Sequence, residues 1–400
     1  MTQEPIERWR SETPGCARRV HLNNAGAALM PDPVLSACTE HLELEADIGG
    51  YEAAAARVTE IAAVYDDLAR LIGSRATNVA VVANATAGFI QAITSFDLSP
   101  GDVIVTTRAD YTSYQIQFLS LAQRRGVVVK HAADLPEGGV DPESIRELAR
   151  DPRCRLVHVS WVPTHSGVIQ DAEGVGRVCE ELGVPYLVDA CQAVGQLPID
   201  VARLRCDYLT ATARKFLRGP RGVGFMYASD RALARGDHPL YVDMRGARWV
   251  DADQYEIAPT AMRYEDWEFP YALVLGLGAA VRYALAVGVE LAGNRAFALA
   301  RRARASLAGI PDTRVLDGGR EQCAIVTASF GQHDAREIVK ELSRQNINTT
   351  ASLRWYGLLD FTEKQVQSAI RISPHYYNTE QEVDEAIAAI GRLVDSAPCS

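Results

Sequence analysis

Between about residue 75 and residue 230, short apolar and β-branched runs alternate with longer stretches whose apolar residues recur at helical spacing. The runs are VAVVA (79–83), VIVTT (103–107), VVVK (127–130), LVHVS (156–160), YLVDA (186–190), DYLTA (207–211) and VGFMY (223–227). DAEGVGRVCEELG (171–183) is typical of the stretches between them. A continuously apolar strand is one covered on both faces, and strands separated by helices join in parallel. The pattern predicts an α/β domain of the open, doubly wound kind, with a mostly parallel seven-stranded sheet.

Beyond residue 227 the rhythm changes. Residues 230–270 read as irregular and 270–308 as a long helix rich in Ala and Leu. A smaller α+β unit follows, with strands predicted at 323–330, 347–352 and 369–373 and helices at 334–345 and 379–394. The last helix opens on Thr379 with Gln381 and Glu382 close behind, the spacing of a capping box. No internal repeat or low-complexity segment interrupts the chain.

Composition then excludes several classes. The 400 residues carry 41 basic and 51 acidic side chains, a net charge of −10, with 48% hydrophobic and 23% charged residues. That balance belongs to a soluble globular chain, and its acidity argues against a nucleic-acid binder. Eight cysteines include no CxxC pair, so neither a metal site nor a disulfide scaffold is signalled. They read as reduced thiols, with a cytoplasmic location expected. The N-terminal MTQEPIERWRSETPG lacks the apolar centre of a signal peptide. The most apolar stretch, 272–289, is interrupted by Arg282 and too short to span a bilayer, so no membrane association is expected.

Two segments carry chemistry. YLVDACQAVGQ places Asp189 at the carboxyl end of a central strand, where ligands of open α/β sheets sit. A carboxylate so surrounded by apolar residues is costly to bury without a cationic partner. DYLTATARKFLRGPRGVGF places Lys215 just after another strand end, where a lysine of lowered pKa can form a Schiff base. Read alone, Asp189 is equally a helix cap and Lys215 a solvated surface lysine. GPRGVG precedes a strand rather than opening a helix, which is the wrong order for a dinucleotide loop.

Together these segments resemble the class V aminotransferase and cysteine desulfurase family of pyridoxal-phosphate (PLP) enzymes. The resemblance runs from HLNNAGAALMP (21–31) to RISPHYYNTEQEVD (371–384), and Asp189, Gln192 and Lys215 at their mutual spacing make it specific. It implies PLP as cofactor, a fold type I architecture, a small amino-acid substrate and a homodimer with active sites at the subunit interface. It also implies an N-terminal arm (1–30) joining the small domain, a large PLP-binding domain (31–270), and a connecting helix with the small C-terminal domain (271–400).

Carried over by position, Lys215 resembles the lysine that binds the cofactor covalently and moves protons. Asp189 matches the partner of the pyridinium nitrogen, and Gln192 the neighbour of the phenolic oxygen. Ala85 and Thr86 in NATAG resemble the phosphate turn at a helix N-terminus, and Thr212 matches another phosphate contact. Tyr111 stands where relatives stack a ring on the cofactor, and Thr164 near the cofactor oxygen. His165 is either a proton-shuttle group or an ordinary loop histidine. Arg371 matches the arginine that grips the substrate carboxylate as a fork. Asn24, Arg354, Trp355 and His375 complete the expected substrate contacts, with Arg354, Trp355 and Tyr356 lining the entrance or simply packing on the surface.

Two departures bear on the reaction. Desulfurases carry a sulfur-accepting cysteine on a loop ahead of the carboxylate-binding arginine. Here 349–371 contains none, and the nearest are Cys323 and Cys399. In RYEDWEFPYA (263–272), Trp267 and Glu268 stand where many relatives have a Gly-Thr pair reaching the partner's phosphate. RISPHYYNT, THSGVIQ and RKFLRGPRGVG together look most like lyases of small-molecule thiol pathways, such as those of ergothioneine synthesis. The expectation is a C–S β-lyase acting on a cysteine S-conjugate, in small-molecule sulfur or antibiotic metabolism. Decarboxylation-coupled oxidative deamination, epimerisation as in isopenicillin N epimerases, transamination, and PLP binding without turnover remain open alternatives.

Overall fold

The structure, a computed structural model, describes residues 3–395. The seven apolar runs form one sheet. Its strands are β1 (Val79–Val82), β2 (Val103–Thr106), β3 (Val128–His131), β4 (Cys154–Ser160), β5 (Tyr186–Asp189), β6 (Tyr208–Thr212) and β7 (Gly224–Ala228). The spatial order is β1-β7-β6-β5-β4-β2-β3, parallel throughout except that β7 runs antiparallel to both neighbours. β1, β2, β5 and β6 are buried along their whole length, because helices cover both faces. β3, at the edge, carries Lys130 and His131 and is partly exposed.

The helix expected over 270–308 is two helices, Tyr271–Val287 and Val289–Ala308, bent by 78°. Gly288 between them takes φ +87°, a left-handed conformation that glycine alone adopts without strain. The first helix packs on Asp32–Ile48 and Val58–Ile72, and the second on the closing helix Glu380–Asp395. Among the described residues no single helix is long and apolar enough to cross a membrane. Residues 230–270, expected to be irregular, contain an antiparallel pair, Ala247–Asp251 with Gln254–Ile257. Trp249 and Tyr255 on it are exposed, so no buried face imposed the alternation that marks a strand.

The C-terminal unit is an antiparallel sheet of β8 (Thr313–Val315), β9 (Val326–Phe330), β10 (Thr350–Leu353) and β11 (Ser368–Ile372), in the order β8-β9-β11-β10. The strand expected over 347–352 is divided. Ile347–Asn348 leaves this sheet to pair in parallel with Val20–His21, and Asn23 bridges to Ser373. The N-terminal segment is thereby tied to the C-terminal unit. The capping box forms: Thr379 N–H donates to the Glu382 carboxylate (3.0 Å) and Glu382 N–H to Thr379 Oγ1 (3.1 Å). All seven described cysteines are free thiols; Cys399 lies outside the described residues.

Candidate active site

The carboxyl ends of the parallel strands converge on one cavity of about 240 Å³. Asp189 ends β5 and Thr212 ends β6, while Asn84, Ala85 and Thr86 follow β1 and Tyr111 follows β2; all of them line it. Lys215 completes the lining from the turn after β6. That turn is set by its neighbours. Gly195, at φ +91°, brings the segment after Asp189 so close that a Cβ there would meet the Phe216 backbone at 2.3 Å. The His375 ring bonds to the Phe216 carbonyl at 2.9 Å.

Lys215 is 8% exposed, and its Nζ lies 6.0 Å from the centre of the Tyr111 ring. Burial pulls its pKa below the usual lysine range, against the opposing pull of Cys191 and Asp189. Burial likewise pushes the Asp189 carboxyl up, while Lys215 and the Cys191 N–H (2.8 Å) hold it down. The cationic partner expected for Asp189 is not in contact: among the described residues no basic side chain comes within ion-pair distance of it.

Opposite Asp189, the helix Ala85–Ile93 points its N-terminus into the cavity. Asn84 caps it by accepting from Ala87 N–H at 3.0 Å. The N–H groups of Ala85 and Thr86 have no acceptor within the helix and face the space beside Thr212. Arg214 and Arg221 line the same end. Arg214 donates to the Gly26 carbonyl, and burial, then Arg221, lowers its pKa.

Arg371 lies beside the cavity, buried. It donates to Thr164 O (2.9 Å), Thr164 Oγ1 (2.8 Å) and Asn23 Oδ1 (3.2 Å), while its Nε has no partner. Burial, then Arg214, lowers its pKa to about 10. Gln192 donates to Ala25 O (3.1 Å) and Thr164 Oγ1 (3.2 Å), leaving its own oxygen unpaired. In a chain of net charge −10, Lys215, Arg214, Arg221 and Arg371, which have no carboxylate partners among the described residues, surround one buried Asp and make a site for anions.

Several expected contacts are corrected. The Asn24 side chain donates to Ser373 O (2.7 Å) and accepts from the Tyr377 hydroxyl, so it is consumed inside the fold; Asn23 is the asparagine that meets Arg371. Both ring nitrogens of His375 are bonded, to Phe216 O and to Tyr376 N–H, so it supports the lysine turn and does not face a substrate. Arg354 is folded back onto Thr362 Oγ1 (3.0 Å). Trp355, expected at the entrance, does not line the cavity itself: it is 57% exposed and leans on Tyr356, whose carbonyl accepts from Thr112 next to Tyr111. His165 is wholly buried, its nitrogens unbonded and Asp360 3.6 Å away, under a loop where a Cβ on Gly357 would reach its ring at 2.6 Å. Burial lowers its pKa to about 4.

The sequence reading missed Asn23, Arg214, Arg221, Tyr114 and Cys191. Only Arg214, adjacent to Lys215, had a positional signal.

The profile of the aminotransferase class-V family matches residues 20–386. The chain belongs to this family. A cysteine desulfurase of Serratia proteamaculans is 28% identical over 97% of this chain and 98% of its own. Among solved structures, a cysteine desulfurase from Escherichia coli superposes with TM-score 0.89 at 22% identity, covering 98% of both chains. A cystine C–S lyase in complex with its product cysteine persulfide superposes with TM-score 0.84 at 22% identity, covering 95% of this chain and 99% of that one.

Pyridoxal 5′-phosphate is the cofactor of this class V enzyme, and the residues present fit it. The unpaired N–H groups of Ala85 and Thr86, with Thr212, Arg214 and Arg221, suit its phosphate. Asp189 suits the ring nitrogen, Tyr111 the ring face and Lys215 the aldehyde carbon. When bound, the cofactor draws electrons away from the Cα of an amino-acid substrate. The chain supplies the rest. The lowered pKa of Lys215 raises its share of free amine, which can attack and later carry a proton. Arg371, held by Thr164 and Asn23 through its two terminal nitrogens, keeps its Nε–H edge unpaired, a donor edge of the kind that suits a carboxylate.

Proposed function

We propose that this enzyme acts on an S-substituted cysteine and cleaves its Cβ–S bond by β-elimination. Lys215 takes the Cα proton and the sulfur departs with the Cβ–S bonding electrons. It is released as a thiol, and water converts the remainder to pyruvate and ammonia. The observation carrying this reading is the absence, among the described residues, of a sulfur acceptor. The segment from β10 to β11 holds no cysteine, and the one thiol lining the cavity, Cys191, is buried and pushed well above the usual thiol range by burial and Asp189. A protonated thiol is a poor nucleophile for sulfur. Relatives named cysteine desulfurases and a cystine C–S lyase of the same fold support a cysteine-derived substrate. The motifs RISPHYYNT, THSGVIQ and RKFLRGPRGVG, which resemble those of small-molecule thiol-pathway lyases, favour a small-molecule S-substituent, with the Trp355–Tyr356 pair as its platform. Thr112 donates to the Tyr356 carbonyl and holds that pair next to Tyr111.

The test is a panel of cysteine S-conjugates, with products followed by mass spectrometry. Equal amounts of free thiol, pyruvate and ammonia are expected. An oxygen-dependent aldehyde with carbon dioxide, or an intact skeleton with inverted Cα, would overturn elimination. Replacing Trp355 with Ala should slow bulky conjugates more than small ones. The exposed apolar patch of Leu42, Tyr51 and Trp267 supports a homodimer; a light-scattering mass equal to one chain would refute it.

A further inference from the structure

Behind the cavity, four side chains from the carboxyl ends of β2 and β4 form a closed polar cluster inside the apolar layers. Asp110 accepts from His158 Nδ1 (2.7 Å), from the Thr106 hydroxyl, from the Tyr111 N–H (2.7 Å) and from the Ser160 hydroxyl. Ser160 Oγ also lies 3.3 Å from Asp189 Oδ2, so its single proton can go to either carboxylate but not to both. Asp110, His158 and Ser160 are all buried. The His158 ring is enclosed edge-on by Phe89, Tyr114 and Phe118, and its Nε2 has no partner.

Charge decides what this cluster does. Two carboxylates one hydroxyl apart in a dry interior cannot both stay ionised without a cation. Asp110 has three donors besides Ser160, whereas Asp189 has only the Cys191 N–H. Asp110 also fixes the Tyr111 backbone, so the same cluster sets the ring that would face the cofactor.

We propose that Asp110, His158 and Ser160 are positioning residues for the cofactor: His158 Nδ1, the Thr106 hydroxyl and the Tyr111 N–H hold Asp110, and the Ser160 hydroxyl is thereby left to donate to Asp189 and fix its carboxylate at the cofactor's ring nitrogen. The Asp110 carboxyl agrees with this. Burial pushes it up, yet His158, followed by the hydrogen bonds, brings it below the usual carboxylate range. The cluster acts on the cofactor alone, so it holds whichever substrate bond is cleaved.

The test uses holoenzyme of Ser160→Ala, His158→Gln and Ser160→Thr. NMR of nitrogen-labelled cofactor reads the protonation of the ring nitrogen directly, before any substrate is added. Ser160→Ala and His158→Gln should shift that signal toward the unprotonated ring. They should also lower kcat by roughly tenfold to a hundredfold, the loss expected for one hydrogen bond to a charged group, with KM unchanged. Ser160→Thr, which keeps the hydroxyl, should restore both. A wild-type nitrogen signal and kcat in Ser160→Ala, the smallest change and the one safest for folding, would overturn the proposal even if His158→Gln failed to fold.

Discussion

Arg218 is a cation 2% exposed with no carboxylate partner among the described residues, so its net contribution to stability is a contest that can be measured. Its fork donates to Leu29 O (2.9 Å), the Tyr376 hydroxyl (2.6 Å) and Thr13 Oγ1 (2.6 Å). Its guanidinium carbon lies 4.5 Å from the centre of the Tyr377 ring and 5.3 Å from that of Tyr376. Against these stands the cost of burying a charge, several kcal/mol for an ion left unpaired. Hydrogen bonds to charged groups contribute about 1.5–3 kcal/mol each and cation–π contacts about 1–2 kcal/mol when desolvated. Three such bonds and two such faces outweigh the burial cost. Arg218→Met, which keeps apolar volume but strands the Tyr376 hydroxyl and the Leu29 carbonyl, should cost about 3 kcal/mol. Arg218→Lys, which keeps charge but loses the fork, should cost about 2 kcal/mol. Urea unfolding of the holoenzyme measures both as a shift in midpoint at constant slope. A Met variant as stable as wild type would refute the reasoning and show that the burial cost prevails.

Other expectations follow from the same geometry. Arg371→Lys replaces a fork by a point charge and should raise KM for the amino acid by roughly tenfold or more, while leaving cofactor affinity unchanged in a fluorescence titration. Gly195→Ala forces a Cβ onto the Phe216 backbone at positive φ and should cost about 2–4 kcal/mol while weakening cofactor binding, because the lysine turn must shift. His375 is pushed down to about 3 by burial, then Arg218, and His165 to about 4 by burial. Both are depressed from 6.5, so the unfolded chain takes up protons that the folded chain refuses. Stability is therefore complete above about pH 6.5 and falls as pH drops toward 4, by on the order of 3 kcal/mol per histidine. Urea midpoints independent of pH across that window would contradict this.

The sheet was legible because covering both faces of a strand demands continuous apolar runs, and each of the seven runs became a strand. The break at Gly288 was not, since a single glycine inside an Ala- and Leu-rich stretch leaves the helical period intact on either side. The hairpin at 247–257 escaped because exposed strands carry no buried stripe. In the site, Asp189 and Lys215 stood out as charged residues against apolar strand ends. The choice of Asn23 over Asn24 did not, because one residue decides which side of the chain faces Arg371. The Asp110–His158 pair joins the loop after β2 to β4, and nothing local in either segment marks them as partners.

The pairing of Val20–His21 with Ile347–Asn348 bears on the order of assembly during synthesis. All the residues lining the cofactor cavity lie between Ala83 and Gly222, but the turn that carries Lys215 is braced by His375 on the Phe216 carbonyl. The carboxylate grip joins Asn23 to Arg371, so it cannot close until Arg371 has emerged. Cofactor site and substrate grip are therefore completed together by one late segment, and the span that lines the cavity waits for residues 371–375 before it is set for either.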